Sequence, residues 1–200
     1  TEPFTLVTGF FDIGREKWGD ATRRTERYYL DSFKNWGRMR NTIVVYAAPE
    51  MLEEVVRFRK KHGLEAKTHT IPLEFKDLLD LDPDLLARIA DKLLAKPFQT
   101  YRVGTQRAWF HSPEYIYLIY HKPYLVNDAI KRGLTGNAVS WIDFGFGYDN
   151  HYYTCPDEFS FEWARPLEDK FHLFSLYSVD ERPVYEIVKY GSGRFQAGLM

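Results

Sequence analysis

The chain has 200 residues, with 27 Lys plus Arg against 28 Asp plus Glu for a net charge of −1, and 44% of it is hydrophobic. That composition fits one soluble globular domain, and the lack of a positive excess excludes a nucleic-acid coat that works through many phosphate contacts. One cysteine, Cys155, excludes an internal disulfide and any zinc site built on two thiolates.

No apolar run approaches the roughly 20 residues of a membrane helix. Residues 1–11 lack the basic start and cleavage site of a signal peptide, so the expectation is a cytoplasmic chain, with peripheral membrane contact left open. Aromatic residues make up 17% of the sequence and many stand among polar ones, as at Tyr28, Tyr29, Tyr115, Tyr152 and Tyr153. Such rings either line sugar or nucleotide pockets or fill a core.

In chain order, residues 4–11 (FTLVTGFF) predict a buried strand that feeds a loop at Asp12, Ile13, Gly14 and Arg15. Over 22–36, Tyr28, Tyr29, Phe33 and Trp36 recur at three- to four-residue steps among charges, the period of an amphipathic helix. Residues 42–47 (TIVVYA) form a second strand, and Pro49 opens a helix that closes at Gly63. Residues 64–71 alternate loosely and give a third strand before Pro72. Asp82 and Pro83 start a helix that continues to Pro97. Residues 113–120 and 123–132 read as two helical pieces separated at Pro123, the second ended by Gly133.

Residues 138–145 (AVSWIDFG) are a near-continuous apolar strand carrying one carboxylate, Asp143. Beyond it 159–163, 171–179 and 184–189 are strand-like, with no long helix between them. The last residues, 195–200 (FQAGLM), are apolar with no polar tail and read as a cut through a longer protein. The fold class expected is α/β: a mostly parallel sheet flanked by helices, followed by a β-rich C-terminal part. Ligands in such folds sit beyond the carboxyl ends of the strands, which directs attention to the loops after Phe11 and Phe144.

Asp143 needs a partner at the end of an apolar strand. A divalent cation on diphosphate oxygens is one, with Gly145 and Gly147 letting backbone approach the ligand; a turn in which Asp143 accepts backbone N–H groups is the other. Thr8, Asp12 and Arg15 offer a hydroxyl, a carboxylate and a guanidinium to a base, ribose or diphosphate, or else shape a turn. Lys122, at the start of the second helical piece, adds positive charge for an anion or is a solvated surface lysine. Asp80, Asp82 and Asp84 open with calcium-loop spacing, but Leu85 occupies the place of the required glycine, so capping is expected.

Asp143-Phe144-Gly145 matches a kinase metal motif, yet no kinase glycine-rich loop or His-Arg-Asp accompanies it. The histidines form no His-Glu-x-x-His, and Walker and Gly-x-Ser-x-Gly sequences are missing. Asn150 stands where the third glycine of a dinucleotide fingerprint belongs, and Cys155 beside a proline, with His151 near it in sequence, reads as inert.

The segment from Leu6 to Arg15 (LVTGFFDIGR) with Trp18, the helix to Trp36, Lys122-Pro123, and Trp141-Ile142-Asp143-Phe144-Gly145 together resemble the bacterial HtrL/YibB-like family. That family is associated with surface-polysaccharide loci and is similar to nucleotide-sugar glycosyltransferases of the GT-A fold. The resemblance implies one GT-A-like domain over 1–200, with 1–147 binding the nucleotide sugar and 148–200 on the acceptor side. The implied donor contacts are Thr8, Phe10, Asp12 and Arg15, with Lys122, Trp141 and Gly145. Asp143 is the implied metal ligand and Mn²⁺ or Mg²⁺ the implied cofactor; the position two residues on, acidic in many such enzymes, is Gly145. The implied reaction moves a sugar from a nucleotide diphosphate to a glycan or lipid-linked acceptor, with no residue assigned as catalytic base. The alternatives are a catalytically inactive nucleotide- or glycan-binding module of the same fold and, with less to carry it, a hydrolase of phosphate or sugar esters.

Overall fold

Two runs of β-branched and aromatic residues, β1 (Thr5–Gly9) and β2 (Ile43–Ala47), form the centre of the protein, and both are almost wholly buried. Strands buried on both faces read as unbroken apolar runs, as these do. The computed structural model describes residues 2–19, 23–97, 112–147 and 159–166, with Lys170, Pro183 and Glu186. Within them, β3 (Thr68–Pro72) and β4 (Val139–Trp141) complete a four-stranded parallel sheet in the order β3-β2-β1-β4.

Helices cover both faces. On one lie α1 (Glu26–Trp36) and α2 (Pro49–Lys61), which bring Leu30, Phe33, Trp36, Met51, Leu52 and Val55 onto Leu6, Ile43, Val45 and Phe144. Thr25 starts α1 by accepting the Tyr28 backbone N–H at 3.2 Å. Pro49 starts α2, and Gly63 with φ of 70° ends it, a left-handed angle that favours glycine. On the other face lie α3 (Phe75–Leu79), α4 (Pro83–Leu93) and α5 (Pro113–Lys131), which pack Leu78, Tyr117, Leu125 and Ala129 on Val7, Val44, Tyr46 and Trp141. Fully burying each large apolar side chain contributes about 1.5–3 kcal/mol.

The amino ends of the strands are closed by polar bonds. Asn41 donates to the carbonyls of Phe4 and Trp163, each at 2.8 Å, and accepts the Trp163 N–H at 2.7 Å. This holds the segment 159–166 against β1, where the Phe4 and Trp163 rings meet at a tilt with centroids 4.4 Å apart.

Several expectations change. The two helical pieces around Pro123 are one helix, α5, with Pro123 inside it. Pro123 is exposed, so its ring meets solvent, and the uninterrupted apolar contacts of Tyr117, Leu125 and Ala129 on the sheet carry the helix through it. Lys122 therefore sits mid-helix and gains nothing from a helix N-terminus. The strand expected over 138–145 is only Val139–Trp141, after which residues 144–147 turn, and Asp143 lies outside the ladder. Residues 159–163 form no strand; the ladder there shrinks to one antiparallel bridge, Pro3 to Ala164. The third strand starts only at Thr68, behind a 3-10 turn at Glu65–Lys67, and α3 is an element the periodicity did not announce. Asp82 caps α4 by accepting the Leu85 N–H at 3.2 Å. The strands expected at 171–179 and 184–189, and Cys155, lie outside the described residues. No helix among the described residues is long and apolar enough to cross a membrane.

Candidate functional site

The sheet order defines where a ligand crevice opens. The chain moves from β1 outward to β2 and β3, then returns to place β4 on the other side of β1. At such a reversal the loops leaving neighbouring strands part in opposite directions and leave a crevice beyond their carboxyl ends. The loops after β1 and β4 lie at this reversal.

The first loop turns at Gly14, whose φ is 73° and whose N–H donates to Asp12 Oδ1 at 2.8 Å. Asp12 thus shapes the turn. The turn delivers Arg15 onto a short 3-10 segment, Arg15–Lys17, with only 8% of its surface exposed. Its guanidinium lies 4.8 Å from the ring centre of Trp18, 5.6 Å from Tyr115 and 5.8 Å from Tyr29, and it donates a hydrogen bond to the Tyr29 hydroxyl. The π faces attract the cation and help to hold it in place. Arg24 follows, 5.3 Å from the Tyr28 ring, its backbone N–H on the Arg15 carbonyl. Between them opens a pocket of about 250 Å³, with Phe10, Phe11 and Tyr29 as apolar lining and Asp12, Glu16, Glu26, Arg15 and Arg24 as charged lining.

The second loop carries Asp143. Its Oδ1 accepts from the Trp141 indole N–H and from Lys122 Nζ, each at 2.7 Å. Lys122 reaches it from the middle of α5 with a side chain 12% exposed, and its ammonium lies 5.8 Å from the Trp141 ring centre. Tyr115, in the first turn of α5 under the Ser112 cap, brings its ring to Arg15 and Trp18 of the first loop, and its hydroxyl feels the charge of Asp143. Burial, then Asp143, pushes the Tyr115 hydroxyl above its ordinary value, while burial raises Tyr29 against the opposing pull of Arg15 and Arg24. Both phenols are neutral donors at physiological pH.

The structure thus places Phe10, Asp12 and Arg15 around one pocket and Lys122, Trp141 and Asp143 in one bonded group. Two expected contacts are placed elsewhere. Thr8 is fully buried within β1 and its Oγ1 has no hydrogen-bond partner among the described residues. Alternation with Val7 puts it on the α1 and α2 side of the sheet rather than in the loop. Gly145 is needed for a close approach, but by a ring: a Cβ there would come within 2.9 Å of Tyr29 Cδ1. Arg24 was not singled out by sequence, and Tyr29 and Tyr115 only as rings among polar residues that line a pocket or fill a core. Their available signal was aromatic and basic residues sharing the polar side of predicted helices.

A divalent cation does not fit these groups as they stand. Asp143 Oδ1 already accepts from an ammonium and an indole, so its charge is paired with Lys122, and no three His, Cys, Asp or Glu side chains converge among the described residues. Mg²⁺ and Mn²⁺ require oxygen ligands and are repelled by a fixed ammonium at bonding distance from their carboxylate.

The protein is thus of the α/β class, a four-stranded parallel sheet flanked by helices, with charged and aromatic side chains at its strand reversal. Residues 2–193 match the family described as "Bacterial protein of unknown function (HtrL_YibB)", and the chain belongs to that family. It is 25% identical over 185 residues to "Protein HtrL" of Escherichia coli (strain K12), an alignment covering 86% of this chain and 60% of that protein. The chain therefore spans less than two thirds of that relative's length. No solved structure matches it.

Proposed function

We propose that this chain is the donor-binding part of a glycosyltransferase, taking a nucleotide-diphosphate sugar in the crevice between the loops after β1 and β4. The observation that carries this reading is that both loops at the strand reversal have cations against aromatic rings, Arg15 and Arg24 at the first and Lys122 at the second. Guanidinium and ammonium groups held in place match the oxygens of a diphosphate, and Phe10, Phe11 and Tyr29 offer apolar surface to a base or sugar ring. Negative charge grows on a departing nucleoside diphosphate as the glycosidic bond breaks, so cations fixed beforehand stabilise the transition state more than the substrate. Asp12, Glu16 and Glu26 on the charged side of the pocket are acceptors for sugar or ribose hydroxyls. The acceptor, a glycan or lipid-linked glycan of surface-polysaccharide synthesis, belongs to the same proposal, as does the activity of the whole protein.

The test is the thermal midpoint of the chain in UDP-, GDP-, CMP- and ADP-sugars, since a ligand that binds only the native state must raise it. A rise with one nucleotide class, lost in Arg15→Ala, supports the donor site; no rise with any of them opposes it. A binding module without turnover is the second reading, favoured by Asp143 being the single acid that the second loop contributes among the described residues. It predicts the same rise with no sugar released over hours of incubation.

A further inference from the structure

We propose that the anion site of this chain works without a divalent cation: Lys122 is the cation that receives a diphosphate, and Asp143 holds the place of the phosphate until it arrives. The inference rests on the nucleotide-diphosphate reading above and goes beyond it by assigning these two residues roles that a metal site would not give them.

The geometry carries it. Asp143 Oδ1 takes two donors at 2.7 Å, the Lys122 ammonium and the Trp141 indole N–H. A phosphate oxygen accepts the same pair at the same spacing, because both are anionic oxygens with spare lone pairs. The donors are fixed and the acceptor is not. Trp141 is 4% exposed in the sheet, and the Lys122 side chain is 12% exposed on a 19-residue helix packed on it. The Asp143 side chain is 41% exposed and sits on the turn after a three-residue strand, so its carboxylate can move into water. A nearly buried ammonium is costly without an anion beside it, and exchanging carboxylate for phosphate keeps it paired throughout. Arg15 brings a second positive charge, lying against the Trp18 and Tyr115 rings.

The two roles for Asp143 predict opposite signs. Isothermal titration of the full chain with UDP, GDP, CDP, ADP and inorganic pyrophosphate, in EDTA and then in Mn²⁺ or Mg²⁺, reads them directly. The expected result is a nucleoside diphosphate that binds in EDTA, an affinity changed less than about threefold by metal, a loss of about tenfold or more in Lys122→Met, and a gain of severalfold in Asp143→Asn as the competing carboxylate is removed. Should Lys122→Met fail to fold, Asp143→Asn carries the test by its sign. Binding that needs metal and weakens in Asp143→Asn overturns this inference while leaving the donor-site reading intact. A folded chain that binds none of the diphosphates in either medium overturns both.

Discussion

Arg59 is fully buried, and all of its donors are used without a carboxylate: Nε to Thr68 Oγ1, Nη1 to the Gly37 and Met39 carbonyls, Nη2 to those of Asn41 and Lys67. Burial lowers its pKa to about 10, so it stays cationic at neutral pH and ties α2, the segment before β2 and the start of β3 into one unit. Arg59→Met should destabilise the fold by about 3 kcal/mol or more, because the carbonyls it serves lose their donor inside the protein. Guanidinium chloride unfolding at constant slope checks this; a cost under about 1 kcal/mol would contradict it. Gly145→Ala should cost about 1–3 kcal/mol and release Arg15, since the added methyl displaces Tyr29. The wild type alongside the variant in a thermal melt, with Trp18 fluorescence as local probe, reads both effects.

The phenols set a pH dependence at the same scale. Burial raises Tyr29, Tyr46, Tyr115 and Tyr117 above the ordinary value of 10.0, and Asp128 adds to the rise at Tyr46 by accepting its O–H at 2.8 Å. The native state therefore keeps protons that the unfolded chain releases. The stabilisation is complete below pH 10 and falls as pH rises above it. Unfolding free energies measured from pH 8 to 11.5 should decline above about pH 10, and less steeply in Tyr46→Phe; an equal slope in the variant would contradict the assignment.

At the scale of elements, α5 is the informative case. Pro123 removes the N–H that would meet the Ile119 carbonyl, yet the helix runs from Pro113 to Lys131. Pro123→Ala should restore that bond and stabilise by about 1–3 kcal/mol, raising the midpoint by several degrees. No gain would indicate that the chain breaks there after all. The same element shows what sequence could and could not reveal. β1 and β2 were legible because strands buried on both faces are continuous apolar runs, and α2 because Pro49 and Gly63 mark its ends. The continuity of α5 was not, because proline speaks for local geometry while the decision lies in contacts with Val7, Val44 and Trp141 far along the chain. Asp143 stood out as a charge in an apolar run, and Arg15 as a guanidinium in the loop that leaves the first strand. The bond from Lys122 to Asp143 crosses from a helix to a strand-end loop, and no local spacing encodes it.

For the whole molecule, the order β3-β2-β1-β4 separates two ends with different tasks. The amino ends are sealed by Asn41, Arg59 and the 159–166 segment, with Trp163 on Phe4. The carboxyl ends collect Arg15, Lys122, Asp143 and the rings around them. The central claim is that a nucleotide diphosphate binds at this second end, and the tryptophans report on it separately. The measurement is a ¹H–¹⁵N spectrum of the indole N–H groups, assigned by single Trp→Phe variants and titrated with the nucleotide-sugar class that raises the melting midpoint. The account predicts that the Trp141 resonance moves as its N–H exchanges the Asp143 carboxylate for phosphate, that Trp18 moves with Arg15, and that Trp163 stays in place. Saturating ligand that leaves Trp141 and Trp18 unmoved, or moves Trp163 instead, would contradict it.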